Sequence, residues 1–235
     1  MILYAVFVGL ILLVVLVFCY SLWQKTKTST RLMSQTIPFE MYSDAYSTSV
    51  LVLGDSIAVG VGASRPAESV PGLFAKEVDA TYVENHAISG SQVRDLLNQI
   101  PKATLSSYTY ILIQIGANDV THAHNVDDIA RDLSEVMRTL PLHQHLFVLM
   151  AGNVGGASAF PRFVKPYYTR LSLRYHKAFA RVVAKNGGIY IDLFTDPKED
   201  PIVLHPEIYL AEDGFHPSSE GYALWFEKIK KSLAH

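Results

Sequence analysis

A serine, a histidine and an aspartate stand where they can act together on one bond. Ser56 follows the apolar run Leu51-Val52-Leu53 and a Gly54-Asp55 step, and Asp213-Gly214-Phe215-His216-Pro217 comes near the other end of the 235-residue chain. A serine hydroxyl is a weak nucleophile at neutral pH; it needs a base to take its proton and a carboxylate to orient that base. Asp213 and His216, separated by a turn through Gly214, can bring a carboxylate to Nδ1 and leave Nε2 facing the serine. Each residue alone has an ordinary alternative, because a serine after a strand is commonly a helix cap and Asp-Gly is a common turn.

Two more polar groups fall just after apolar runs. Asn118, in Gly116-Ala117-Asn118-Asp119, can aim its amide at a developing oxyanion, a kind of donor whose loss costs roughly 10²–10³ in turnover. Gly90 offers a backbone N–H unshielded by any side chain, and Ser56 offers its own. Taken singly, an asparagine turn and a glycine loop explain these residues equally well.

The elements that must position these groups are legible as alternation. Apolar, β-branched runs at 49–53, 81–85, 110–115, 146–150 and 188–192 suit strands buried on both faces. Helical spacing fills the intervals at 70–78, 91–100, 126–140 and 165–185, and a last helix is expected over 218–233. In the second interval Val93, Leu96, Leu97 and Ile100 make one apolar stripe behind a Ser91 cap. Such alternation implies an α/β fold with a parallel sheet covered by helices on both sides. In that class the ligand site lies beyond the carboxyl ends of the strands, where Ser56, Gly90 and Asn118 fall.

Gly54-Asp55-Ser56, Gly90, Gly116-Ala117-Asn118-Asp119 and Asp213-Gly214-Phe215-His216-Pro217 resemble, in order and spacing, the four signature blocks of the SGNH (GDSL-type) hydrolases. The resemblance covers residues 49–235; Ile57 replaces the leucine of the family name, a conservative apolar change. It implies a flavodoxin-like three-layer α/β/α sandwich with a five-stranded parallel sheet. It further implies Ser56 as nucleophile, His216 as base, Asp213 as its orienting carboxylate, and an oxyanion hole from Ser56 N–H, Gly90 N–H and the Asn118 side chain. The expected reaction is hydrolysis of carboxylic esters through a covalent acyl-enzyme, with no cofactor. A thioesterase or lysophospholipase, a carbohydrate O-deacetylase and a catalytically silent membrane-tethered binding module are the alternatives.

The first 23 residues have a different character. From Ile2 to Trp23 the chain carries no charge, which as a helix is long enough to cross roughly 30 Å of hydrocarbon. A single-pass anchor over residues 1–23, a polar linker over 24–48 and a hydrolase domain over 49–235 are therefore expected. A cleaved signal peptide is the competing reading; no basic residue precedes the run, and the run exceeds the roughly 7–15 apolar residues of such a segment. Lipidation at Cys19 is disfavoured by bulky Phe18 before it. Lys25, Lys27 and Arg31 follow the run and place the domain in the cytoplasm by the positive-inside rule.

Composition narrows the remaining classes. A net charge of −2, with basic residues scattered, gives no field for nucleic acid, and a single cysteine gives neither an intramolecular disulfide nor a cysteine zinc site. Gly60-Val61-Gly62 lacks the third glycine of a dinucleotide loop, with Arg65 in its place. His122-Ala123-His124 and His143-Gln144-His145 are expected in loops or helix ends without a carboxylate set, so no metal is assigned. Phe160, Phe163, Tyr167 and Tyr168 either line a substrate pocket or pack a helix.

Overall fold

The computed structural model describes the backbone of residues 2–45 and 47–233, and among the first 22 side chains those of Tyr4, Phe7, Leu16, Val17, Tyr20 and Ser21. Five strands, β1 (Ser49–Gly54), β2 (Tyr82–Asn85), β3 (Ser107–Gln114), β4 (Leu142–Leu149) and β5 (Ile189–Ile191), form one sheet in the order β2-β1-β3-β4-β5. Every pairing between them is parallel. All six residues of β1 are buried, which is why its sequence is continuously apolar rather than alternating. The strand order reverses direction between β1 and β3, and the crevice that opens at such a reversal is where this architecture receives ligands.

The helices are α1 (Ile2–Gln35), α2 (Ser56–Val59), α3 (Val70–Glu77), α4 (Leu96–Gln99), α5 (Ala117–Thr121), α6 (Val126–Thr139), α7 (Lys165–Lys185), α8 (Pro201–Leu204), α9 (Pro206–Tyr209) and α10 (Ser219–Leu233). One layer is α3 against α10, and the other is α6 against α7 with α4 beside α6. Leu133, Val136 and Phe179 of the second layer and Phe74, Tyr222 and Ile229 of the first belong to the buried core.

The helix expected over 91–100 is broken into a 3-10 turn at Val93–Asp95, α4, and a second 3-10 turn at Ile100–Lys102. It starts later than Ser91 because the Gln92 N–H donates to Asp95 Oδ2 at 2.8 Å, and Pro101 prevents its continuation. Strands β3 and β4 begin earlier than their apolar runs. Ser107 pairs with Leu142 and Tyr110 with His145 at an end of the sheet open to solvent, where no apolar signal is needed. His143 and His145 thus lie on a strand rather than in a loop, and the His145 ring stacks on Tyr110 at 5.1 Å.

The segment expected to be a linker is mostly ordered against the domain. α1 continues to Gln35 despite the Thr and Ser residues of modest helix propensity in its second half, which packs on the body: Lys25 Nζ donates to the Ser158 carbonyl at 2.9 Å and Arg31 pairs with Glu212. The chain then crosses the exposed edge of β2, where Met41 and Val83 exchange backbone hydrogen bonds of 3.1 and 2.6 Å, giving the edge strand a partner. Among the described residues no helix is long and apolar enough to cross a membrane. The expected span falls largely on side chains outside those described, and Cys19 is one of them.

At the end of β1 the chain has no room for a side chain. Gly54 has φ of +152°, and a Cβ there would stand 2.0 Å from the Gln114 carbonyl oxygen of β3. Gly54→Ala is therefore expected to cost about 3 kcal/mol or more, through strain and forced separation of the strands. Urea unfolding of the two proteins would measure it.

Candidate active site at the β1 and β3 strand ends

Ser56 is the first residue of α2, placed by the residue before it. Asp55 caps the helix, its Oδ1 accepting the Ile57 N–H at 3.0 Å, while its own N–H donates to the Gln114 carbonyl at 3.0 Å. One buried side chain, Gln99, holds the turn from behind. Its Oε1 accepts the Gly54 N–H at 2.9 Å, and its Nε2 donates to the Gly54 carbonyl at 2.8 Å and to Ser91 Oγ at 3.1 Å. A single amide thus links the end of β1 to the turn that carries Gly90.

The Asp213-to-Pro217 turn comes to Ser56 from the far end of the chain. His216 Nδ1–H donates to Asp213 Oδ2 at 2.6 Å, which leaves Nε2 to accept the Ser56 hydroxyl at 2.8 Å. All three residues are buried. Burial opposes the charge on Asp213, yet hydrogen bonds from the His216 ring and from the Phe215 and His216 N–H groups outweigh it and hold its carboxyl below the usual range. It therefore stays an acceptor for the imidazole across neutral pH.

The turn is seated by contacts with the segment after α2. Gly62 has φ of +95°, and a Cβ there would stand 2.2 Å from the Pro217 carbonyl oxygen, so its close approach explains a glycine better than any phosphate loop does. Tyr222 Oη donates to the Val61 carbonyl at 2.8 Å and the Ser64 N–H to Ser219 Oγ at 2.9 Å. These bonds tie α10 to the chain just beyond Ser56.

Asn118 lies in the first turn of α5, and its Nδ2 donates to the Ser91 carbonyl at 2.9 Å. That bond uses one of two amide hydrogens and leaves the second for another acceptor. It also draws the Gly116–Asp119 turn against Gly90–Ser91, so the three strand-end segments that carry Ser56, Gly90 and Asn118 meet in one rim. A donor set of this kind can stabilise negative charge on an oxygen next to Ser56.

Several residues that shape the rim have no signature in the sequence. Gln99 sits three residues after Leu96 on the buried side of a short helix, and a polar residue on an apolar face was its one available signal. His176 is buried on α7; its Nε2–H donates to the Ala151 and Gly152 carbonyls at 3.0 and 3.2 Å, while Nδ1 meets Tyr190 Oη at 2.6 Å and Asp192 Oδ1 at 2.9 Å. It thereby fixes the loop after β4. Of the four aromatics considered from sequence, Phe160 stacks on Tyr168 at 4.8 Å and meets Phe215 edge-on at 5.8 Å, beside a groove lined by α1 and Asp213; Phe163 and Tyr167 are exposed. His122 Nδ1 donates to the Asn118 carbonyl at 2.7 Å, and His124 faces Asp119 at 3.7 Å. No three His, Cys, Asp or Glu side chains among the described residues are arranged to hold a metal ion.

Two further carboxyls are buried behind the rim. Burial, reinforced by the nearby charge of Asp119, pushes Asp55 up to about 7 despite the Ile57 N–H it accepts. Burial likewise moves Asp119 to about 6, although the Val93 N–H donates to it at 3.2 Å. An acid whose folded pKa is raised binds its proton more readily folded than unfolded, so its contribution to stability is complete below about pH 4 and is lost as pH rises towards 7. Asp55→Asn retains an oxygen for the Ile57 cap and removes the buried charge. Relative to the parent, the variant should gain stability between about pH 4 and pH 7, by a total of roughly 4 kcal/mol at about 1.4 kcal/mol per unit, and level off above that. Denaturant titrations at several pH values would show it, and a pH-independent difference would refute the assignment of the charge to Asp55.

Comparisons with known proteins agree with this geometry. Residues 52–224 match the model of the GDSL-like lipase/acylhydrolase family. A GDSL-like esterase of Mycobacterium tuberculosis is 25% identical over 199 residues, covering 80% of this chain, while the chain spans 60% of that relative's length. An isoamyl acetate-hydrolysing esterase of Schizosaccharomyces pombe is 25% identical over 205 residues, covering 82% of this chain and 78% of the relative. The crystal structure of an extracellular lipase from Streptomyces rimosus superposes with a TM-score of 0.61 at 20% identity, over 79% of this chain and 99% of the lipase, and supports the fold. With a five-stranded parallel sheet, its serine turn at the β1/β3 reversal and a family match over most of its length, the chain belongs to the GDSL-like lipase/acylhydrolase family.

Proposed function

We propose that this protein is a serine esterase that hydrolyses carboxylic esters through a covalent acyl-enzyme. The observation that carries the reading is the continuous hydrogen-bonded chain from Ser56 Oγ through His216 to Asp213, 2.8 and 2.6 Å long at its two links, at the strand-order reversal. Ser56 Oγ attacks the ester carbonyl carbon as its proton passes to His216 Nε2, and the charge that develops on the carbonyl oxygen is met by the Ser56 N–H, the Gly90 N–H and Asn118 Nδ2. The C–O bond to the alcohol then breaks, with His216 returning the proton to the leaving oxygen. Water attacks the acyl-enzyme by the same route, its proton going to His216 and then to Ser56, and releases the carboxylic acid. Asp213 remains ionised throughout and stabilises the imidazolium.

The membrane anchor is part of this proposal. Its support is the uncharged length from Ile2 to Trp23, and the basic residues Lys25, Lys27 and Arg31 that follow favour a cytoplasmic domain. Protease treatment of intact cells carrying a tag after His235 tests the orientation: a protected tag is expected, and degradation from outside would reverse it.

Ser56→Ala should abolish hydrolysis of a short-chain nitrophenyl ester and labelling by a fluorophosphonate while leaving the unfolding midpoint near that of the parent. Undiminished turnover in that variant would end the esterase reading. Asn118→Ala should lower kcat by roughly 10²–10³ with a smaller change in KM, because its interaction strengthens as the oxyanion forms.

A further inference from the structure

A cavity of about 40 Å³ opens beside the catalytic histidine, between Ile57, Ala117 and His216 on one side and the loop after β4, Ile202 and Trp225 on the other. Its walls are mainly apolar, with two other polar side chains contributed by Asn153 and Asp200. The Asn153 amide shares a property with that of Gln114 on β3, but only Asn153 of the two lines this cavity. Both its Oδ1 and its Nδ2 are buried, and neither has a hydrogen-bond partner among the described residues. A buried polar pair left unmatched is costly, so it is retained where some occupant completes it.

The backbone on either side of Asn153 is held in place. His176 holds the Ala151 and Gly152 carbonyls immediately before Asn153, Tyr190 and Asp192 hold His176, and the Gly156 N–H donates to the Asn153 carbonyl at 2.8 Å after it. The side chain makes no capping bond to its own turn. Asn153 lines an otherwise apolar recess that also holds His216, and its amide carries a donor and an acceptor that no described residue engages. Asp200 is buried at the same cavity, with Oδ1 accepting the Ile202 N–H at 3.0 Å. A carboxyl there disfavours an anionic occupant and, as an acceptor, favours a hydroxyl over a carbonyl or an ether oxygen.

We propose that Asn153 is a specificity-determining residue, and that the cavity receives a short aliphatic part of the ester bearing a neutral hydroxyl group that pairs with its amide. The inference rests on the esterase reading and extends it to a substrate class. A hydroxyl suits both neighbours, since it can donate to Asn153 Oδ1 or Asp200 and accept from Asn153 Nδ2, while Ile57, Ala117 and Trp225 enclose the carbon chain. The hydroxyl belongs either to the acyl or to the alcohol half, and substrates resolve which.

Two ester pairs test this on the full chain. Nitrophenyl butyrate against nitrophenyl 3-hydroxybutyrate varies the acyl half, and butyl acetate against 3-hydroxybutyl acetate varies the alcohol half. The parent enzyme is expected to favour the hydroxylated member of one pair by about ten-fold in kcat/KM, the scale of one well-placed hydrogen bond. Asn153→Leu should erase that ratio, and Asn153→Ala should do the same if leucine disturbs folding. A merely structural role would instead lower both members of a pair together and leave the ratio intact. No preference in either pair, or a preference that survives both substitutions, would overturn the proposal. If hydrolysis persists in Ser56→Ala, the esterase reading itself fails; if hydrolysis needs Ser56 but the ratios ignore Asn153, only this inference does.

Discussion

The approach of β1 to β3 at Gly54 and Gln114 governs the rest of the structure. Asp55 donates to the Gln114 carbonyl, and the Gly54 backbone lies so near that oxygen that no side chain fits between them. Two adjacent strands therefore end at one level. α2 and α5 begin side by side, and their first residues include Ser56 and Asn118. Gln99 fastens the same end of β1 to the Gly90–Ser91 turn, so the third segment of the rim is referred to the same point.

Three acids lie close to the serine, and their surroundings sort them. Asp55 and Asp119 accept backbone N–H groups on one oxygen each, but the second oxygen, Oδ2 and Oδ1 respectively, is buried and makes no hydrogen bond among the described residues, with His124 Nδ1 no nearer to Asp119 Oδ1 than 3.7 Å. Burial therefore wins and raises both. Asp213 has the imidazole on one oxygen and two backbone donors on the other, and its affinity for a proton falls. Negative charge is concentrated where it faces His216 and reduced where it would oppose a developing oxyanion.

What could be read from the sequence was what is encoded locally. The strands were visible where both faces are buried, as in β1, and invisible at the exposed start of β4, where Leu142 to His145 run beside Ser107 to Tyr110 of β3. The serine, the Gly90 turn, Asn118 and the Asp213–His216 turn each form a short block, so spacing and order reveal them. Gln99 and His176 act on backbone groups 45 and 25 residues away, and no local pattern reports such a partner. The extension of α1 and the seating of Met41 on β2 were hidden for the same reason: a polar stretch reads as a linker until a sheet edge needs a neighbour.

The turn from Asp213 to His216 has a mechanical meaning. Its carboxylate takes two N–H groups from its own turn on one oxygen and the imidazole of the same turn on the other, so acid and base are held together as one piece. The serine belongs to a second piece, built on β1. What joins them besides the Ser56–His216 bond is the seam of Gly62 against Pro217, Tyr222 on Val61 and Ser64 on Ser219. Alignment is thus reduced to one coordinate, the width of that seam. A strain entering through α10 would change the reach from base to nucleophile and leave the acid–base pair itself untouched.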